Sequence, residues 1–249
     1  MDFDFSPDQQ QLKDQARRFL ADHCDRRAVR VVLDGPQSFD AKLWQGLADQ
    51  GYLGAAIPEA YGGLGAGYGE LCVIAEERGR AVAPVPFSSS IAIAAELLLH
   101  AGTEAQRQRW LPLLASGKTI ATLALTERPG RVTPASIQAS VAAGRLNGSK
   151  LPVPDGDIAH LAIVVARDVS ALASTLSSTL SSTLSPTLSL YLVDLNAAGV
   201  QRATLPSIDP TRSQARISFS QAEVEPLGAP GAGRASVVAV FGRAPGLVA

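Results

Sequence analysis

The hydrophobic period of this chain changes near Lys118, and that change limits what it can fold into more than any other feature. Apolar residues three and four apart share one helix face, whereas strict alternation marks a strand with one buried face. Before Lys118 the first pattern holds. Ser6 and Pro7 suit an N-cap and a first helical position, and Leu12, Ala16, Phe19 and Leu20 follow at helical spacing. Asp40 precedes a short helix with Leu43, Trp44, Leu47 and Ala48 on one face, stopped at Gly51. A third helix is predicted from about Glu70 to Arg80. SSSIAIAAELLLHAG is apolar almost all round and reads as a buried helix, and another runs from Thr103-Glu104 through Trp110. After Lys118 come short apolar runs between turn residues: TIATLAL, LAIVVAR, LSLYLVDL and VQRATL. Ile137, Ala139 and Val141 alternate with polar residues, as do Ala215, Ile217 and Phe219 in QARISFS. The prediction is an α+β chain: an all-α helical domain over residues 1–118, then a small antiparallel β-barrel or sandwich over 119–230. Residues 231–249 form a short tail.

Ser174–Ser189 reads STLSSTLSSTLSPTLS. One Leu in four does not make a strand alternation, and Ser, Thr and Pro186 oppose a helix. A flexible low-complexity loop over 170–187 is predicted. Net charge is -1, which leaves no electrostatic footprint for nucleic acid or an anionic membrane. No apolar run approaches the roughly 18 residues a membrane span needs. The start MDFDFSPDQQQ is acidic and polar, unlike a secretory or transit peptide, so a cytoplasmic location is expected. Cys24 and Cys72 read as buried or partly buried free thiols, and His23, His100 and His160 form no cluster, so no metal site is predicted.

The stretch GYLGAAIPEAYGGLGAGYG carries six glycines between Gly54 and Gly69. Gly62 and Gly63 allow backbone angles closed to other residues, so Tyr61-Gly62-Gly63 marks a tight loop. Glu59 is predicted to hold that loop by hydrogen bonds rather than to act as a base. Glu76, Glu77 and Arg78 read as a solvated helix face, and Trp110 as a core residue.

Several of these stretches together resemble the acyl-CoA dehydrogenase family. PEAYGG followed by EERGR, the segment GTEAQRQRWLPLLASGKTIATLALTE, and RLNGSKLPVPDGDIAHLAIVVAR match its motifs in order and spacing over about residues 1–230. The resemblance implies FAD-dependent α,β-dehydrogenation of an acyl-CoA thioester, with an electron-transferring flavoprotein as acceptor and an oligomeric assembly. It implies a flavin contact along Leu123-Ala124-Leu125-Thr126, with Thr126 as the matched residue and Leu123 and Leu125 beside it. The chain departs from the family at three places. After Thr126 it continues ERPGRVTPAS in place of a P-x-A-G-S-D run. The family's W-I-[ST]-N is replaced by Pro152-Val153-Pro154-Asp155, so proline, with no N–H, stands at the Trp and hydroxyl positions. A contact to the flavin ring is then left to an amide such as that of Val153 or Asp155. After residue 230 no segment matches the family's C-terminal four-helix domain, which carries the catalytic Glu. No catalytic residue is therefore assigned, and a truncated, incomplete enzyme is expected. The alternatives are a non-catalytic subunit of a heteromeric acyl-CoA dehydrogenase and a non-flavin binding or scaffold module.

Overall fold

The computed structural model describes residues 5–169 and 187–243. Ser6 caps α1 (Pro7–His23) in a reciprocal capping box with Gln9. Asp25 caps α2 (Arg26–Asp34), a helix the period analysis does not predict, because a single residue of it, Val32, is buried. Asp40 caps α3 (Ala41–Asp49), and α4 spans Tyr68–Arg80. The apolar segment forms π-helical turns over Ser88–Ala95 and continues as α5 (Glu96–Ala101). Thr103 and Gln106 box the start of α6 (Glu104–Ala115). In the tail, Gly233–Arg243 folds as a further helix, α7.

The second half is one eight-stranded sheet: β1 (Ala121–Ala124), β2 (Ser140–Ala142), β3 (Arg145–Pro154), β4 (Leu161–Asp168), β5 (Leu188–Asp194), β6 (Val200–Leu205), β7 (Gln214–Glu223) and β8 (Glu225–Leu227). The order is β6-β7-β3-β2-β4-β5-β8, with β1 added on β4. Pairing is antiparallel except that β1 and β2 both run parallel to β4. Those two pairs depart from the purely antiparallel expectation. They arise because β4 is buried along Leu161–Ala166 and receives β1 directly from the helical half. Most of the STLS repeat lies outside the described residues; its Leu188 and Ser189 open β5.

The halves share one continuous set of buried residues. Across the junction Ala121 N donates to Ser90 Oγ at 3.1 Å, and within the helical half Trp44 Nε1 donates to Gly117 O at 2.9 Å. Among the described residues no helix is long and apolar enough to cross a membrane.

The glycine-rich loop carries its own backbone ladder: Leu64 N to Gly54 O at 2.9 Å, Gly65 N to Ile57 O at 2.9 Å and Ala66 N to Ala55 O at 2.8 Å. Gly62 has φ +78, the left-handed conformation, as the sequence suggests. Gly63 is required for a different reason, since a Cβ there would lie 2.0 Å from Ile57 O. Gly63→Ala is therefore expected to lower the melting temperature far more than Gly62→Ala. The second change costs about 1 kcal/mol of backbone strain, whereas the first opens the ladder. Thermal denaturation of both variants compares them.

Candidate functional site

Lys150, fully buried on β3, is the pivot of the site. Its Nζ donates to Leu125 O at 3.1 Å and to Glu127 Oε1 at 2.8 Å. Glu127 in turn accepts from Gln138 N at 2.7 Å and Ala139 N at 2.9 Å. Burial disfavours the Glu127 carboxylate, but the Lys150 hydrogen bond and the two amides outweigh it and hold its pKa below the ordinary value. Burial likewise lowers the Lys150 pKa, and Glu127 opposes it. The pair fixes the chain just after β1. Leu151 N donates to Thr126 O at 2.9 Å, and Thr126 Oγ1 donates to Pro152 O at 2.9 Å. One strand turn earlier, Thr122 Oγ1 donates to Pro154 O at 2.6 Å. The Leu151-Pro152 peptide is cis.

A cavity of about 510 Å3 opens beside this seam. It brings together Leu123, Leu125 and Thr126 from the end of β1, Pro152 and Pro154 from β3, and Ser89 and Ile93 from the π-helical turns. Ser207, Gln214 and Phe241 close it from the other side. Three of the four residues singled out in the sequence, Leu123, Leu125 and Thr126, thus line one space. Val153 does not: it is fully buried, paired with Ala215 on β7. The Asp155 amide donates to Ser213 O at 2.9 Å. Gln214, which the sequence did not point to, supplies a buried acceptor, Oε1, without a hydrogen-bond partner among the described residues.

Behind Ser89 sit the buried Asp155 and the half-buried Asp157. Ser89 Oγ donates to Asp155 Oδ2 at 2.5 Å, Ser213 Oγ to Asp157 Oδ1 at 2.6 Å, and Ser38 Oγ to Asp157 Oδ2 at 2.5 Å. Burial pushes the Asp155 carboxyl up to about 6, with Asp157 adding repulsion against the hydroxyl bonds and the Arg212 charge.

Other expectations need correction. Glu77 and Arg78 are not a solvated face: they are 1% and 3% exposed. Glu77 is buried because Arg17 and Arg80 neutralise it, at 2.7 Å and 3.0 Å. Arg78 lies 5.4 Å over the Phe87 ring. Glu59 is exposed, and the loop bond at that residue comes from its backbone, Gly62 N to Glu59 O at 2.9 Å. Glu96 is buried and accepts from Tyr68 Oη. Trp110 packs partly buried against the core. Cys24 is buried and Cys72 half-buried, both free. Among the described residues no His, Cys, Asp and Glu cluster could hold a metal.

The sequence profile of the acyl-CoA dehydrogenase N-terminal domain matches residues 6–118. The chain is 31% identical over 174 residues to the mitochondrial isovaleryl-CoA dehydrogenase of Solanum tuberosum, spanning 67% of this chain and 42% of that protein. The chain belongs to the acyl-CoA dehydrogenase family. Family structures superpose on both halves. A Tcur3481-Tcur3483 steroid ACAD variant gives a TM-score of 0.77 at 29% identity, covering 95% of this chain and 60% of that one. The ChsE4-ChsE5 complex from Mycobacterium tuberculosis gives 0.80 at 25% identity, covering 98% and 62%. The chain thus spans about two fifths of that curated acyl-CoA dehydrogenase and under two thirds of the solved chains.

Two measurements probe this site. Lys150→Met removes the cation from the half-buried Glu127, which keeps its two amide donors, and is expected to cost about 2–3 kcal/mol in urea denaturation. Lys13→Met, which breaks the Lys13–Glu76 pair with Glu76 52% exposed, is expected to cost under about 1 kcal/mol. For Asp155, a folded pKa of about 6 lies above the ordinary carboxylate value. The folded chain therefore holds this proton more tightly. That stability is fully present below the unfolded pKa of about 3.9 and is lost as pH rises through about 6. Asp155→Asn, which suits the residue's φ of +54, is expected to remove this loss. The variant should gain about 3 kcal/mol on the parent between pH 4 and pH 7, read from melts across that range.

Proposed function

We propose that this chain is the flavin-side part of an FAD-dependent acyl-CoA dehydrogenase that carries out α,β-dehydrogenation of an acyl-CoA thioester. The observation that carries the reading is the cavity beside β1, where the apolar side chains of Leu123 and Leu125 meet a buried acceptor unpartnered among the described residues. A flavin ring suits that donor set. Leu123 and Leu125 offer apolar contact, and Gln214 Oε1 offers an acceptor to a ring-edge N–H. The Thr126 oxygen offers another, since its proton is already given to Pro152 O. Pro152 and Pro154 contribute no N–H, so the ring gains no amide bond from either. Bound FAD would supply hydride acceptance from the substrate β-carbon. The helical part over residues 1–118 and the β part over 119–230 would wall the site from two sides.

Among the described residues no Asp, Glu or His lines the cavity. We assign the α-proton to a carboxylate outside the described residues, because the general base must lie within hydrogen-bond reach of that proton. An electron-transferring flavoprotein is the proposed acceptor and the cytoplasm the proposed location, although curated relatives include mitochondrial proteins. A second reading, a non-catalytic subunit working with an unlike partner, is favoured by two structural neighbours whose names join two proteins, Tcur3481-Tcur3483 and ChsE4-ChsE5.

Equilibrium titration of FAD into the purified chain, followed by flavin fluorescence, tests the reading. Binding is expected, and Gln214→Leu is expected to weaken it about tenfold, the worth of one buried hydrogen bond. Absence of FAD binding would favour a scaffold module. A chain that, alone, oxidises acyl-CoA with an artificial acceptor would overturn the assignment of the base to another segment.

A further inference from the structure

A second cavity, of about 670 Å3, lies between the C-terminal end of α4 and the loop that leads into β7. It shares no lining residue with the cavity beside β1. Its walls carry Arg78, Arg80 and Arg212, with Phe5 and Val82 as apolar surface. Arg78 is the unusual member. It is 3% exposed, so its guanidinium is almost fully withdrawn from water. Its Nη2 donates to Ser88 Oγ at 3.2 Å, and its Nε has no hydrogen-bond partner among the described residues. Among the described residues neither Arg78 nor Arg212 has a salt-bridge partner.

A buried guanidinium without a counter-ion is costly. Burial lowers the Arg78 pKa to about 10, and the Arg212 charge acts in the same direction. Asp155 offsets part of this through space, but among the described residues no carboxylate forms an ion pair with Arg78 or Arg212. Glu76 is taken by Lys13 at 2.8 Å, and Glu77 by Arg17 and Arg80. Asp209 Oδ1 accepts from Thr211 N at 3.0 Å and Thr211 Oγ1 at 2.5 Å. Asp155 attracts Arg78 through space, but its oxygens are held by the hydroxyls of Ser89 and Ser213. The cleft therefore carries Arg78, Arg80 and Arg212 against the two lining acids Glu76 and Asp209, and Glu76 is already paired with Lys13. Val82, on the same wall, is held at φ +51, a strained conformation for a β-branched residue, and its side chain is 53% exposed.

We infer that this cleft binds the phosphoryl group of a phosphorylated small molecule, with Arg78 and Arg212 as its charge partners and Phe5 and Val82 against its apolar part. A phosphoryl group fits better than a carboxylate because it brings up to two charges and three acceptor oxygens to two guanidiniums. The volume exceeds what a phosphate fills, and the surplus is apolar wall.

Cys72 lines the same cleft and Cys24 a different one, so the thiols form an internal control. Inorganic phosphate is titrated into the full chain by calorimetry at constant ionic strength, with acetate and chloride as comparison anions. Alkylation rates of both cysteines are followed in parallel. The expected result is saturable phosphate binding with selective protection of Cys72, and acetate weaker by at least tenfold. Arg212→Ala, a half-buried loop position, should melt within a few degrees of the parent and lose at least tenfold in phosphate affinity. Failure of phosphate to saturate, equal protection by chloride, or unchanged affinity in Arg212→Ala overturns the inference. Acetate binding as tightly as phosphate would reassign the site to carboxylates and overturn its phosphoryl character.

Discussion

The Lys150–Glu127 ion pair holds the two halves of the candidate site in one geometry. Neither residue could occupy its position alone: the ammonium is fully buried, and the carboxylate is closed in by two backbone amides. Removing both charges from water costs several kcal/mol, and the close contact with additional hydrogen bonds on each side offsets that cost. What the pair gains is position. It ties the end of β1, the loop before β2 and the middle of β3 to one point, which places Leu125 and Thr126 against Pro152. A pair that satisfies every polar partner specifies one arrangement more sharply than an apolar contact of equal size would.

A second constraint acts from the helical side. The glycine-rich loop has to fold back on itself so that Gly54 and Gly63 pass closely: a Cβ on Gly54 would meet Gly63 Cα at 3.2 Å. That close pass seats the loop against α6, where Tyr61 Oη donates to Glu104 at 2.8 Å. α6 leads to Gly117, whose carbonyl receives the Trp44 indole. β1 begins four residues later and enters the sheet parallel to β4. The parallel pairing of β1 is thus a consequence of where the helical half delivers the chain, and no property of TIATLAL alone encodes it.

That contrast explains what was legible in the sequence. Periodicity located α1, α3, α4 and α6 because each buries a defined stripe, and the caps Ser6, Asp40 and Thr103 marked their starts. It missed α2, where Val32 alone is buried and Val29 packs only partly buried against the core. It also misread Glu77 and Arg78, since charge on a helix ordinarily means solvent. Their burial depends on Arg17, 60 residues away, and on the Phe87 ring, neither of which local sequence reveals. In the site, Leu123, Leu125 and Thr126 were legible because they end one strand. Gln214 was not, because only β7 folding across β3 brings it to the same space.

The chemistry left in that space follows from an inventory of protons. Pro152 and Pro154 bring carbonyls and no N–H. The Thr126 and Thr122 hydroxyls spend their protons on those carbonyls, at 2.9 Å and 2.6 Å. The Ser89 hydroxyl lies within donor reach of Pro86 O and Asp155, both outside the lining. What these groups turn toward the cavity is oxygen lone pairs, and Gln214 Oε1 adds a buried acceptor that no donor among the described residues reaches; the Ser207 hydroxyl, which accepts from Asp209 N, is the lining hydroxyl with a proton to give. Substituting prolines at two lining positions therefore shifts the site toward accepting. A ligand N–H directed at Gln214 Oε1 or at the Thr126 oxygen is satisfied here, whereas a ligand acceptor set against either leaves both sides unpaired at a cost of about 1–3 kcal/mol per group.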